Sequence, residues 1–161
     1  MRDKSEVENA VEKYADLVRR ICFLHLKNKS DTEDISQTVF LKYILYSGVF
    51  ECDEHEKAWI IRVTINSCRD LIKSLMRHQT TALEVLSEEA LSVTDENREL
   101  LQLVLSLPLK YKDAIYLFYY EGYTAVEIAK ILGKKENTVY SLMSRGRELL
   151  KKQLGGEEFA Q

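Results

Sequence analysis

The sequence has few of the residues that punctuate β-rich folds. One proline and six glycines occur in 161 residues, which leaves little turn chemistry for the many tight turns of a sandwich or a barrel. No apolar run approaches the ~20 residues that span a bilayer. The first ten residues, MRDKSEVENA, are polar and acidic, unlike a signal peptide. We therefore predict an all-α chain, without membrane insertion, that stays in the cytoplasm.

Cysteine and histidine are also sparse. The three cysteines lie far apart, without CxxC spacing, at Cys22, Cys52 and Cys68. We expect reduced thiols, with Cys22 and Cys68 as small apolar fillers. Acids crowd at Asp31, Glu33 and Asp34, where they suit the positive end of a helix, and a metal or acid/base cluster is the alternative. No histidine or second carboxylate cluster converges on them, so we predict no metal and no cofactor.

The net charge of −3 hides an alternation of sign along the chain. Residues 1–56 sum to −4 and residues 57–80 to +4, while residues 81–97 hold five acids and no cation and residues 98–154 sum to +4. Two basic segments predict two separate surfaces for polyanions, with a solvated face as the alternative for each block.

The cation-free stretch TTALEVLSEEALSVTDEN has the composition of a solvated linker. We place an acidic linker at residues 80–95, between a helical domain of residues 1–79 and a second domain of residues 96–161 with a short C-terminal tail. Capping-box spacings predict three helix starts, at Ser5 with Glu8, Ser30 with Glu33 and Thr124 with Glu127. The second helix should cover about residues 31–46, and residues 46–58 should form a loop, because the helical periodicity breaks there.

The most informative segment of the first domain is KAWIIRVTINSCRDLIKSLMRHQ. One face is an apolar stripe at helical spacing. The opposite stripe carries four cations, one amide and no acid: Arg62, Asn66, Arg69, Lys73 and Arg77. Cations bind phosphates, an amide reads a base edge and the nearby indole of Trp59 can stack on a base, so the set predicts contact with melting nucleic acid. The alternatives are a solvated face and a core position for Trp59.

The last third of the chain has the pattern of a helix-turn-helix. Pro108 fits the first position of a helix that Gly122 ends, a short helix stops at Gly133, and a longer helix covers about residues 137–154. The polar outward residues of that last helix are Asn137, Ser141, Ser144, Arg145 and Glu148, flanked by Tyr140, Arg147 and Lys151. Small hydroxyls suit close approach to a major groove, and Arg145 can pair bidentately with guanine. Plain helical packing is the alternative.

With both halves described, the chain resembles a bacterial RNA polymerase sigma factor of the small, extracytoplasmic-function (ECF) type. DTEDISQTVFLKY is similar to the family's D-x-E-D-x-x-Q-E-x-F helix, and WIIRVTINSCRDLIK to its W-L-x-x-I-A-x-N-x-x-x-D segment. The region from LPLKYKDAIYL to EIAKILGKKENTVYSLMSRGR resembles the family's L-P-x-x-x-R-x-x-x-L…E-I-A-x-x-L-G…T-V-x-S-x-x-x-R-x-R pattern. The resemblance covers nearly the whole chain, and both motifs in this order are specific.

The resemblance implies a promoter-specificity subunit that is not an enzyme. It would bind core RNA polymerase and help to open promoter DNA. The residues implied in docking on the polymerase clamp coiled coil are Asp31, Asp34, Gln37 and Phe40. Those implied at the minus-ten element are Trp59, Arg62, Asn66, Arg69 and Lys73, with a flipped base held by the loop of residues 46–58. Those implied at the minus-thirty-five element are Asn137, Tyr140, Ser141, Ser144, Arg145 and Arg147. The second domain would also dock on the polymerase flap, and an anti-sigma factor is a further partner that the family allows.

Several positions depart from the family pattern. Thr38 replaces a glutamate, Tyr140 replaces a cation and Gly146 replaces an alanine, and Lys135 is a poor residue for a helix cap. Gly146 should cost ~1 kcal/mol relative to alanine inside a helix. These departures predict weaker or altered minus-thirty-five recognition. A stand-alone helix-turn-helix regulator, an inactive sigma-like protein and a nuclease that uses the Asp31 cluster are the alternatives.

Overall fold

The computed structural model describes residues 1–77 and 95–153. Every regular element in these two stretches is helical, which confirms the all-α prediction. The chain divides into two compact units, Met1–Ser92 and Val93–Gln161. The predicted acidic linker lies outside the described residues, apart from its last position. No helix in the described parts is long and apolar enough to cross a bilayer.

Residues 1–77, the described part of the first unit, contain three helices that all contact one another. These are α1 (Lys4–Leu26), α2 (Lys29–Leu45) and α3 (Asp53–Arg77). Side chains with almost no exposure fill the space between them, among them Val18, Ile21, Phe23, Val39, Tyr43, Ile60, Ile61 and Ile65. Cys22 and Cys68 are buried in this core and form no disulfide, as the sequence predicted.

Two helices begin earlier than the capping-box spacings predict. The carboxylate of Asp3 accepts a hydrogen bond from the Glu6 amide at 2.9 Å, and α1 begins at Lys4. The amide oxygen of Asn28 accepts from the Asp31 amide at 2.8 Å, and α2 begins at Lys29. The caps predicted at Ser5 and at Ser30 are therefore wrong, because Asp and Asn cap as well as Ser and stand two residues upstream.

The loop before α3 is shorter than predicted. Helix α3 begins at Asp53, so only residues 46–52 connect it to α2. Asp53, Glu54 and Glu56 lie in the first turn of α3, where carboxylates complement the helix dipole. The apparent break in periodicity at residues 53–58 is therefore a polar first turn and not a loop.

A single carboxylate joins all three helices of the first unit. The Tyr14 hydroxyl on α1 donates to Glu56 Oε1 at 3.0 Å, and the Tyr43 hydroxyl on α2 donates to Glu56 Oε2 at 2.8 Å. Burial of the ring, followed by the bond to Glu56, raises the pKa of both phenols, that of Tyr43 from 10.0 to about 12. The stability that these protonated donors contribute is fully present below pH 10 and is lost as the pH rises above it.

The second unit contains α4 (Asp95–Leu105), α5 (Leu109–Ile115), a π-helical segment (Tyr116–Tyr120), α6 (Ala125–Leu132) and α7 (Glu136–Gln153). Pro108 takes an extended ψ of 146° and precedes α5 by one residue instead of starting it. The capping box predicted at Thr124 is confirmed, because Thr124 and Glu127 each accept from the other's amide at 3.2 and 3.0 Å. Gly133 ends α6 at a φ of +65°, which favours glycine.

We predict that Glu56→Ala lowers the free energy of unfolding of the first unit by about 2–3 kcal/mol, because it leaves two phenol donors without their charged acceptor. Trp59 is the only tryptophan of the chain, so urea unfolding followed by its fluorescence reports on this unit. The matched control is Glu54→Ala, an exposed acid of the same helical turn, which should change the value by about 0.5 kcal/mol or less. Equal effects of the two substitutions would contradict the assignment.

Candidate nucleic-acid interface

The cationic stripe predicted on α3 lies on the outer side of the first unit. Arg62, Asn66, Lys73 and Arg77 are exposed and Arg69 is half-buried, while Ile61, Ile65 and Cys68 of the same helix are buried. The helix therefore separates its apolar and cationic stripes as the sequence predicted. The exposed Asn66 amide lies between cations one turn to either side, an arrangement in which phosphate contacts can position an amide against a base.

A cation of another helix contacts α3 beside the stripe and not on it. Lys42 on α2 is exposed, and its Nζ donates at 3.0 Å to the hydroxyl of Ser67, a buried residue of α3. Nothing in the local sequence of α2 marks Lys42 as a partner of α3. Its placement follows from the packing of the two helices.

Trp59 belongs to an aromatic cluster at the loop of residues 46–52. We call this set the loop cluster; its members are Tyr43, Tyr46, Phe50, His55 and Trp59. The Trp59 ring lies 4.7 Å from the Tyr46 ring and 5.6 Å from the Phe50 ring, centroid to centroid, and the indole is half-buried. It is therefore neither a core residue nor a free surface ring, but an edge of the cluster that faces both the core and solvent.

The loop itself has a defined conformation. The Glu51 amide donates to His55 Nδ1 at 3.1 Å, and the His55 ring meets the Phe50 ring edge-on at 5.4 Å. A Cβ on Gly48 would lie 2.3 Å from the Tyr46 ring, so glycine allows that ring to fold back over the loop. Val49 at the tip of the loop is 84% exposed.

The acidic residues predicted to bind polymerase have different environments on α2. Asp31 is half-buried and accepts a hydrogen bond from the Asn28 side chain at 2.8 Å, whereas Asp34 and Gln37 are exposed. Phe40 is half-buried, and the Thr38 hydroxyl donates to the Asp34 carbonyl at 3.1 Å. No group of His, Cys, Asp or Glu side chains in the described residues is placed to hold a metal ion.

Two exposed apolar side chains extend this face of α2. Leu41 is 58% and Leu45 70% exposed, and they follow Asp34 and Gln37 at helical spacing. A face with polar residues at one end and leucines at the other has the composition of a protein interface.

The outward face of α7 has the predicted composition. Asn137, Tyr140, Ser141, Ser144 and Arg145 are exposed, and Val139, Met143 and Leu150 are buried. Arg147 is half-buried, and its Nη1 donates to the Tyr119 hydroxyl at 3.2 Å. Arg147 is thus tied to the π-helical segment.

The turn between α6 and α7 forms an open hollow rich in cations. The residues that line it are Val126, Ala129, Lys130, Gly133, Lys134, Lys135, Glu136 and Asn137. Lys130, Lys134 and Lys135 are all exposed. They place three positive charges beside the first turn of α7, and no motif in the sequence singles out Lys130 or Lys134 for this role.

Gly146 has a packing function that the sequence does not reveal. It is buried in α7, where an added Cβ would lie 2.8 Å from Ile115 Cγ1 and 3.0 Å from Ile115 Cδ1 on α5. The missing side chain therefore allows α7 to pack closely on α5. The predicted cost in helix propensity is offset by this close packing.

Comparison with known proteins agrees with this division into two sites. The family profile described as "Sigma-70 region 2" matches residues 10–78, and the profile described as "Sigma-70, region 4" matches residues 97–150. The chain belongs to the sigma-70 family. The α3 stripe, the loop cluster and the α2 face fall in region 2 of this sigma factor, and α7 with the lysine hollow falls in region 4. Sigma factors are not, in general, an enzyme family.

The chain is similar to curated sigma factors over most of its length. It is 28% identical to the ECF RNA polymerase sigma factor SigW of Bacillus subtilis, over 94% of this chain and 90% of SigW. It is 26% identical to SigM of Mycobacterium tuberculosis, over 86% of this chain and 71% of SigM. These relatives confirm the resemblance to the ECF type.

A solved structure supports the fold. The sigma factor RpoE of Bartonella quintana, determined with the anti-sigma factor NepR, matches with a TM-score of 0.73 at 17% identity, over 95% of this chain and 99% of that one. At this identity the likeness establishes the fold alone.

We predict that the effect of Gly146→Ala on the stability of the second unit changes sign when Ile115 is replaced by alanine. In the natural chain the new methyl meets Ile115, so overpacking should outweigh the gain in helix propensity and destabilise the second unit by about 1 kcal/mol. In an Ile115→Ala background the same change should stabilise by about 0.5–1 kcal/mol, because the space is open. Hydrogen exchange of α5 and α7 peptides measures both values. The same sign in both backgrounds would contradict the packing argument.

Proposed function

We propose that this sigma factor binds core RNA polymerase, directs initiation at specific promoters and assists in opening the DNA strands. The observation that carries the proposal is the presence of two cationic surfaces in the order of family regions 2 and 4, each with exposed base-reading residue types. The protein would act in the cytoplasm, without a cofactor and without catalysing a reaction. A stand-alone regulator would need no α2 face for polymerase.

For the minus-ten element we propose the α3 stripe and the loop cluster. Arg62, Arg69 and Lys73 would hold phosphates, and Asn66 would contact a base edge. The half-buried Trp59 at the loop offers an aromatic face for an unstacked base. Unstacking costs a few kcal/mol per step, and phosphate contacts with base stacking together supply energy of that size.

For the minus-thirty-five element we propose the exposed face of α7. Asn137, Ser141 and Ser144 allow close approach to the major groove, Tyr140 can pack on a base or sugar, and Arg145 can read a guanine. The remaining N–H groups of Arg147 and the lysines of the turn would contact phosphates. Base contacts thus come from the centre of the helix and charge from its surroundings.

For polymerase we propose docking through α2. The exposed Asp34 and Gln37, with Asp31 and Phe40 beside them, would meet the clamp coiled coil, and Leu41 and Leu45 would extend the contact. The second unit would dock on the flap. We propose an anti-sigma factor as a further partner, because the similar RpoE structure was determined with one.

A reconstituted transcription assay tests the function directly. Core RNA polymerase is given a library of duplex promoters, with and without this protein, and start-site-specific transcripts are counted. Transcripts that require the protein, from templates that share an upstream and a downstream element, are expected. Binding to duplex DNA with no dependence of transcription on the protein would instead indicate a stand-alone regulator.

We predict that Asn66→Ala reduces open-complex formation about tenfold, the loss of one good base contact, while initial binding to duplex promoter changes little. Permanganate reactivity of the melted strand measures the first quantity and gel shift of the closed complex the second. The control is Lys73→Ala on the same stripe, which should weaken both and lower the salt dependence of binding. Equal losses in both assays for Asn66→Ala would refute its role in base contact.

We predict that Arg145→Ala relaxes the preference for one base pair of the upstream element, with a loss of about 1–3 kcal/mol in discrimination. Promoter-library sequencing measures the preference at every position. Lys151→Ala, an exposed cation in the last turn of α7, should lower transcription from all templates alike. An unchanged preference profile for Arg145→Ala would show that Arg145 does not read a base.

A further inference from the structure

Arg2 is a half-buried cation that joins the start of the chain to the loop of residues 46–52. Its side chain is 10% exposed. The guanidinium donates from Nη2 to the Gly48 carbonyl at 2.6 Å and from Nε to the Tyr43 carbonyl at 3.1 Å. The Arg2 backbone amide also donates to the Ile44 carbonyl at 3.2 Å. One side chain thus holds the end of α2 and the middle of the loop at a fixed distance.

The same guanidinium lies against the rings of the loop cluster. Its central carbon is 4.7 Å from the Tyr43 ring centroid, 4.8 Å from that of Phe50 and 5.8 Å from that of Tyr46. Cation–π contacts of this kind favour arginine over lysine, because a planar group can stack while its edges donate hydrogen bonds. Arg2 therefore fixes the loop backbone and the orientation of three aromatic rings at once.

Removing the charged Arg2 side chain from water costs free energy, which only its contacts with the protein can offset. Its carboxylate partner, Glu6 at 3.2 Å, is half exposed, and a surface ion pair contributes little. A guanidinium that has lost most of its contact with water is stabilised mainly by the acceptors and rings that replace the water. Here those acceptors are carbonyls of α2 and the loop. Removal of the Arg2 guanidinium should therefore free the loop more than it disturbs the helices, because the helices have their own hydrogen bonds and core.

We propose that Arg2 is a positioning residue for the base that the loop receives during promoter opening. This inference rests on the proposed function. Arg2 touches no DNA; it holds Gly48 and the rings of Tyr46 and Phe50 so that Tyr46 and Trp59, 4.7 Å apart, present a preformed aromatic edge. Preformation lowers the entropic cost of capturing an unstacked base. Arg2 should thus affect which downstream base is preferred and leave the upstream element alone.

Three variants of the full chain test the proposal. Arg2→Met keeps a long apolar side chain against the rings but removes the guanidinium and its N–H donors. Arg2→Lys keeps the charge with a single donor group. Glu6→Ala is the matched control, because it removes only the exposed ion-pair partner. Acrylamide quenching of Trp59 reports on the loop without DNA, and urea unfolding reports on the fold. With core polymerase, the promoter library gives base preference at each position, and permanganate reactivity gives open-complex yield.

For Arg2→Met we expect faster Trp59 quenching, an open-complex yield lowered about tenfold and a flattened preference at one downstream position, with upstream preference unchanged. Arg2→Lys should recover part of the loss and Glu6→Ala should match the natural chain. Natural base preference in Arg2→Met overturns the inference, as does an equal loss at both elements with a lower unfolding midpoint. If the natural chain itself directs no specific transcripts, the proposed function fails and the inference fails with it.

Discussion

The first unit depends on one carboxylate of α3 that accepts a hydrogen bond from each of the other two helices. Glu56 on α3 accepts from Tyr14 on α1 and Tyr43 on α2, so the start of α3 is fixed relative to both partners. That start sets the length of the loop before it and the direction in which Trp59, Arg62 and Asn66 project. The Tyr43 ring also lies 4.7 Å from the Arg2 guanidinium carbon and 6.1 Å from the Trp59 ring, measured to the ring centroids. The proposed base-capturing surface is thus an extension of the network that holds the helices together.

Magnitudes decide which charged contacts matter in this unit. The ion pairs of Lys4 with Glu8 and of Arg19 with Asp16 are solvent-exposed, and such pairs contribute ~0–1 kcal/mol. The hydrogen bonds of Glu56 and Arg2 are partly buried and involve one charged partner, and bonds to charged groups are worth about 1.5–3 kcal/mol each. A count of ion pairs would therefore assign more stabilisation to the surface of α1 than to the loop. Taking the solvent exposure of each partner into account reverses that order.

Patterns of period and composition predicted much of this protein. The apolar and cationic stripes of α3, the capping box at Thr124 and the outward face of α7 follow from helical spacing, because each depends on residues within one helix. The errors at Ser5, Ser30 and residues 53–58 concern helix ends, where several short polar side chains compete for the same amides. Lys42, Gly146 and Arg2 could not be predicted, since their partners are 25 to 46 residues away or on another helix.

The distribution of charge in the second unit bears on how α7 would bind DNA in the proposed complex. Tyr140, at a position where the family pattern led us to expect a cation, is 53% exposed, and the Arg147 guanidinium donates to the Tyr119 hydroxyl. The last turn of α6 supplies Lys130 and the turn after it supplies Lys134 and Lys135, all three beside the start of α7. Phosphate contacts are largely independent of sequence and can come from any cation within reach, whereas base contacts require a fixed geometry. In the proposed complex, cations beside α7 would therefore supply phosphate contacts that α7 itself lacks, and specificity would depend on the few polar side chains of α7, which the close packing at Gly146 fixes against α5.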